Sequence, residues 1–310
     1  MRLTKDIWHP LIVPMPLAEI VARGTLEGLP LHWAPGLEHL QFRADPFGYW
    51  RGGLLYMFVE AFDYRHPVGT IEVLVFDAQY RFVEQRPVLR EPWHLSYPVV
   101  FDGEGETWLM PEANQSGRLT LYRARAFPDV WEPALTITVD PAPVDATPLW
   151  HDGRWWLFYT SNAHGLDGVS ALNIAYADRL AGPWTAHPGN PVRVDRASAR
   201  PGGTPLVIEG RIVLPVQDCS RTYGGAIRLL EIDTLDPARF AARLGARFVA
   251  PPAAAPFGAG LHTLSAAGPA TLIDVKRLIV SAEALTLRAR RELRGLLASG
   301  DDAEPIPRNR

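Results

Sequence analysis

The chain reads as all-β, a five-bladed β-propeller with short helical N- and C-terminal extensions. Three features of the sequence point there. Turn-formers are dense, with 29 prolines and 26 glycines among 310 residues. Short apolar or aromatic runs follow the turns, as expected of hairpins. The turn-plus-run unit then recurs five times at intervals of about 50–60 residues, the spacing of a four-stranded propeller blade. A β-sandwich with chance self-similarity is the competing reading.

Taken in order, residues 1–36 are expected to form an N-terminal extension packing on the propeller, with a helix near Leu17–Arg23. The propeller is expected over residues 37–281. Blade one opens at Asp45-Pro46-Phe47, turns at Arg51-Gly52-Gly53 and continues as Leu54–Glu60. Blade two runs through Tyr97-Pro98, Asp102-Gly103 and Trp108–Glu112; blade three through Asp145–Leu149, Asp152-Gly153 and Trp155–Tyr159. Blade four has Arg200–Pro205, Glu209-Gly210 and Ile212–Asp218. Blade five has His262-Thr263-Leu264, a turn near Gly268 and Leu272-Ile273. From Asp45 the starts step to Tyr97, Thr147, Pro201 and His262, intervals of 52, 50, 54 and 61 residues. Third strands fit Gly69–Phe76, Gly117–Arg123, Leu172–Ala177 and Ala226–Ile232, and a fourth strand fits Phe82–Val88. Residues 282–310 are expected to form a C-terminal helix and a frayed tail, because Leu285, Ala289, Leu293 and Leu296 recur at helical spacing.

Composition narrows the function. Lys+Arg is 31 and Asp+Glu is 34, a formal charge of −3 that argues against a general nucleic-acid binder. Apolar residues are 47%, enough for a sizeable core, yet no run approaches the roughly 20 residues of a membrane span. Met1–Pro10 carries no apolar stretch typical of a secretory leader, so a cytoplasmic location is expected. The single cysteine, Cys219, excludes an intramolecular disulfide and a cysteine-rich zinc site.

The polar groups that open first strands and close second strands should gather at one mouth of a propeller. They include Asp45, Tyr97, Asp145, Arg200 and His262 on first strands, and Glu60, Glu112 and Gln217-Asp218 on second strands. Asp45 to Glu60 and Tyr97 to Glu112 are both 15 residues, so the two glutamates hold the same blade position. A carboxylate ending an apolar run is costly to bury unless paired or hydrated. Several in one ring shift one another's pKa, which acid/base chemistry needs.

With these motifs assembled, the chain resembles the five-bladed propellers of glycoside hydrolase families 43 and 32. More closely, it resembles the N-terminal domain of glucosamine inositolphosphorylceramide transferase and its stand-alone bacterial relatives. The residues carrying the resemblance include Ala44–Phe47, Phe58–Glu60, His94–Pro98, Met110–Glu112, Asp152–Trp156, Gln217–Ser220, Tyr223–Gly225 and Leu261–Thr263. The resemblance implies a carbohydrate-active enzyme of glycoside hydrolase-like type, cleaving or transferring a glycosyl unit in the central funnel. Asp45 matches the first acid of those enzymes by position. Glu112 is the expected proton donor, and Glu60 fills either carboxylate role or tunes the others. Tyr97, Asp145, Arg200, Gln217, Asp218, Tyr223 and His262 are the expected substrate-binding residues. Blades two and three depart from the hydrolase pattern, since Tyr97 stands where an acid belongs and blade three has no second-strand glutamate. The alternative is a non-catalytic sugar-binding propeller supporting a separate glycosyltransferase as partner.

No cofactor is expected, although the resemblance leaves room for a central-channel calcium ion or water at His262. A satisfied buried histidine is the plainer reading. Arg200 with Arg221 suits an anionic sugar or phosphate, while an arginine–aspartate brace of the loop is the competing reading. Neither Gly202-Gly203 nor Gly224-Gly225 forms a dinucleotide fingerprint. Arg288–Arg294 reads as the solvated face of the terminal helix.

Overall fold

The computed structural model describes residues 4–162 and 167–280, and among them the strands form five sheets. β1 (Lys5–Val13) leads into α1 (Leu17–Arg23) and β2 (His32–Trp33). Blade one is then β3 (Gln41–Arg51), β4 (Leu54–Asp63), β5 (His66–Phe76) and β6 (Phe82–Leu89), paired in that order. Blade two repeats the meander with β7 (Ser96–Gly103), β8 (Glu106–Glu112), β9 (Leu119–Ala126) and β10 (Val130–Ile137). Blade three has β11 (Val144–His151), β12 (Arg154–Thr160) and β13 (Ala171–Ala177), edged by β14 (Thr185–Ala186) and β15 (Arg193–Val194). In blade four the first strand is split into β16 (Arg200–Pro201) and β17 (Leu206–Ile208), both pairing with β18 (Arg211–Asp218), followed by β19 (Ala226–Leu235) and β20 (Phe240–Phe248).

The fifth sheet corrects the expected boundary. Its order is β2, β1, then β22 (Ala270–Ile279) and β21 (Leu264–Ala267). β1 pairs antiparallel with β22 from Lys5–Ile279 to Val13–Thr271. The N-terminal segment is therefore a blade strand that closes the ring, rather than an extension outside residues 37–281. Its helix forms where expected: Leu17 and Ile20 are buried one turn apart, and Gly24 ends it in the left-handed region at φ 73°. The expected C-terminal helix at 282–310 lies outside the described residues.

The core sits between neighbouring blades. Leu55, Met57 and Leu74 of blade one pack with Ile12, Ala267 and Leu272 of blade five. Trp156, Phe158 and Ile174 of blade three pack with Leu214, Val216 and Leu230 of blade four. Each buried leucine-sized side chain contributes about 1.5–3 kcal/mol, so this inter-blade burial holds the ring together.

The first strands of blades one to three share one irregularity. Pairing skips between Ala44 and Phe47, between Ser96 and Val99, and between Val144 and Thr147. The residue that bulges out in each, Asp45, Tyr97 and Asp145, has φ of 51°, 46° and 49°. A left-handed residue other than glycine costs about 1–2 kcal/mol, and here partners across blades offset it. The Asp45 N–H donates to Asp274 of blade five at 2.9 Å, and the Tyr97 N–H to Asp45 of blade one at 3.3 Å. The Tyr97 side chain crosses the channel. Its hydroxyl bonds Thr147 at 3.0 Å and accepts the Gly203 N–H at 2.9 Å, which plugs the axis below the mouth.

Candidate functional site

Strand register brings the second-strand polar groups level. Ala44 pairs Glu60, Ser96 pairs Glu112, Val144 pairs Thr160 and Arg200 pairs Gln217. Glu60 and Glu112 thus occupy one blade position, as the 15-residue offset predicts. Both open into a cavity of about 610 Å³ at the channel mouth, with Asp45, Arg200, Tyr223 and His262. A larger trough of about 950 Å³ lies along blade one and shares Phe42 and Phe62 with this cavity.

Each acid has its own environment. Glu112 accepts the Ser96 hydroxyl at 2.8 Å and the Asn114 N–H at 2.7 Å. Burial nonetheless holds its pKa above the ordinary value, helped by the charge of Asp145 and opposed by those two donors and Arg200. Glu60 lies 3.2 Å from Nε2 of His94, whose Nδ1 accepts the Gly69 N–H at 2.9 Å. That second bond fixes Nε2 as the protonated nitrogen facing Glu60. Burial alone would lower the His94 pKa, but Glu60, joined by Glu112 and Asp45, outweighs it and the net shift is upward.

Asp45 sits deepest. Oδ2 accepts the Tyr97 N–H, while Oδ1 accepts the Thr263 hydroxyl at 3.2 Å and lies 3.6 Å from His262 Nε2. Burial pushes its carboxyl up to about 8; His262 opposes this, and Asp145, Glu60 and Asp274 reinforce it. His262 is held by its surroundings. Trp8 stacks on it at 3.6 Å and 7°, and Tyr223 meets it edge-on at 5.5 Å and 88°. Gly224, at φ 58°, lets the loop pass so closely that a Cβ there would come within 2.6 Å of Trp8 and 2.8 Å of His262. Buried Lys276 donates to the Tyr223 carbonyl and lies 5.0 Å over the Trp8 ring.

Four expected substrate-binding residues lie outside the cavity lining. Tyr97 is the channel plug. Asp145 lies beneath Arg200, accepting its Nε at 2.6 Å and the Gln217 amide at 3.0 Å, so Gln217 is part of the brace. Arg200 further donates to the Gly168 carbonyl at 2.8 Å. Asp218 faces away, paired with Arg247 at 3.0 Å and Arg228 at 3.4 Å. Side chains alternate along a strand, so inward Gln217 forces its neighbour outward. Arg221 is exposed and absent from the cavity lining. Cys219 is buried, and burial pushes its thiol up, away from nucleophile chemistry.

Sequence reasoning missed Trp8 and Asp274, and gave His94 no role. Asp274 had a signal: a single acid within the apolar run Leu272-Ile273-Asp274-Val275 must find partners. It accepts backbone N–H groups from Asp45, His262 and Thr263, and shares the single Thr263 hydroxyl proton with Asp45.

Among the described residues, Asp45, His262 and Asp274 bring donor atoms within 4.8 Å of one another. The set does not fit a calcium ion, which takes about six to eight oxygens. Both Asp274 oxygens are engaged by N–H donors, and His262 Nδ1 lies 2.6 Å from Asp274 Oδ2.

Residues 37–245 match the family described as glucosamine inositolphosphorylceramide transferase 1, N-terminal. The glucosamine inositolphosphorylceramide transferase 1 of Oryza sativa subsp. indica is 38% identical over 200 residues, covering 63% of this chain and 26% of that protein. The Arabidopsis thaliana protein of the same name is 33% identical over 241 residues, covering 75% and 30%. The chain thus spans less than a third of these curated relatives. Among solved structures, an exo-β-1,3-galactanase from Clostridium thermocellum superposes with TM-score 0.51 at 13% identity, over 71% of this chain and 56% of that one. A GH43 β-1,3-galactosidase with galactodeoxynojirimycin gives 0.50 at 12%, over 69% and 79%. These two share the fold. Trp8, His262 and Asp274 fall outside the family match.

Proposed function

The chain belongs to the family of the glucosamine inositolphosphorylceramide transferase 1 N-terminal domain, and from that premise we propose that its mouth cavity takes a sugar unit of a glycan or glycoconjugate and cleaves or transfers it. One observation carries this reading. Two glutamates at the same register position of adjacent blades open into one cavity with different surroundings. Glycosyl chemistry needs such a split, with one carboxyl protonated for the leaving oxygen and another ionised for the sugar or an attacking water.

Glu112 takes the acid role: burial favours its neutral form, and Ser96 and Asn114 fix its orientation. Glu60, held by the His94 imidazole, takes the base or nucleophile role. Asp45, on the cavity floor, stabilises positive charge developing at the anomeric carbon when it is ionised. Arg200 lends its charge to the cavity while anchored to Asp145.

The test is turnover of aryl glycosides and nucleotide sugars by the purified chain and by Glu112→Gln and Glu60→Gln. Loss of one acid/base group should lower the rate by about 10²–10⁴. Full activity in both variants would overturn the assignment. The departures from the hydrolase acid pattern favour a second reading, a sugar-binding propeller serving a separate transferase: blade three carries Thr160 at the glutamate position, and Tyr97 takes the bulge position of an acid. Glycan binding retained in both variants, with no turnover by any form of the chain, would support it instead.

A further inference from the structure

Asp274 is completely buried, yet nothing in the proposed chemistry uses it. Its carboxylate joins the first and last blades through the Asp45, His262 and Thr263 N–H groups. A neutral residue could not accept all of these. Its Oδ2 also lies 2.6 Å from His262 Nδ1, while the other ring nitrogen faces Asp45 Oδ1 at 3.6 Å. A neutral imidazole has one donor and one acceptor nitrogen, and an acceptor facing a carboxylate oxygen is repelled. Both Asp45 oxygens already act as acceptors, Oδ1 for the Thr263 hydroxyl and Oδ2 for the Tyr97 N–H, so Oδ1 meets His262 as an acceptor whichever charge Asp45 carries. The imidazolium then presents N–H groups to both acids, and the Trp8 stack holds the plane of the ring.

We infer that Asp274 is a positioning residue that holds His262 as a cation beside Asp45, so that the Asp274–His262 pair sets the charge on Asp45 in the cavity. The inference deepens the glycosyl reading, because Asp45 is the floor acid there, but its geometry does not depend on a substrate. The groups facing His262 are consistent with it. Asp274 comes from β22, Asp45 from β3 and the more distant Asp145 from β11, all acidic. Tyr223 offers a neutral edge, and the Lys276 ammonium, 5.0 Å over the Trp8 ring, is engaged by Asp6, Thr222 and the Tyr223 carbonyl. Burial alone would lower the His262 pKa; Asp274 and Asp45 outweigh it and the net shift is upward.

The experiment is a pH titration of the protein with ¹⁵N-labelled histidine, followed by long-range ¹H–¹⁵N NMR from pH 5 to 9. The chain has 9 histidines, and His262→Gln identifies the signal by its loss. In the wild type, both ring nitrogens of His262 should stay at protonated shifts at pH 7.5. In Asp274→Asn the midpoint should fall by at least one pH unit, a tenfold loss of proton affinity, and Asp274→Glu should restore part of it. A wild-type His262 that is neutral at pH 7 overturns the inference even if Asp274→Asn fails to fold. So does an unmoved midpoint in a folded Asp274→Asn. Because no substrate enters the titration, its failure is separate from a failure of the glycosyl reading.

Discussion

Arg200 lines the cavity with the three acids, and its role as a brace can be measured. Its Nε lies 2.6 Å from Asp145 Oδ2, with the two side chains 13% and 3% exposed. Removing the carboxylate charge with Asp145→Asn keeps the shape but leaves a buried guanidinium without its counter-ion. Breaking a buried pair in this way costs about 3–5 kcal/mol. Arg200→Met alone strands the Asp145 charge, with the Gln217 amide still donating to it at 3.0 Å, and should cost a similar amount. The double variant removes both charges, so the two losses should overlap with a coupling of about 1.5–3 kcal/mol. Urea unfolding midpoints of the four proteins, at unchanged m-value, give the cycle. An Asp145→Asn cost below about 1 kcal/mol, or additivity within about 0.5 kcal/mol, would refute the brace. Arg200 would then be free to bind an anionic ligand, the other role its sequence position allows.

Two further predictions concern the same site. Asp45 and Glu112 both bind protons more tightly folded than unfolded. Their contribution to stability is therefore present below their unfolded pKa values and is lost as pH rises through the folded ones, about 8 for Asp45. His262, also raised, acts in the same direction. Asp63, held down to about 2 by Arg65 despite slight burial, loses its contribution only in strong acid. Tm should consequently fall from pH 5 to pH 9, and Asp45→Asn should flatten that fall; a Tm that rises over this range contradicts the shifts. Trp8→Ala removes a buried ring that stacks on His262 and lies 5.0 Å from the Lys276 ammonium. It should cost about 3–5 kcal/mol in denaturant titration, and a cost under 1 kcal/mol would mean that the closing strand does not hold the site.

The blades were legible because their turns carry Gly or Asp-Gly at repeating intervals and their strands alternate around apolar runs. The same repeat aligned Glu60 with Glu112, since a common offset from the bulge residue means a common register. The closing strand was not legible. Lys5–Val13 has no hairpin partner nearby and pairs with Thr271–Ile279 at the far end of the chain, so no local pattern announces it. Trp8 was hidden with it. Asp218 was misplaced for a simpler reason: the residue after Gln217 must face the opposite side of the strand. Tyr97 occupies the bulge position of an acid, but its longer side chain reaches across the axis to Thr147 and Gly203. Only three-dimensional proximity reveals such a plug, as it does the meeting of Asp45 and Asp274 across the ring closure.

The most direct test is a crystal structure of Glu112→Gln with the glycan that the turnover or binding panel selects. In that structure a sugar ring should lie in the mouth cavity, with its glycosidic oxygen within hydrogen-bond reach of residue 112 and with Glu60 and Asp45 facing the anomeric carbon. A sugar seated in the blade-one trough, away from all three acids, would contradict it.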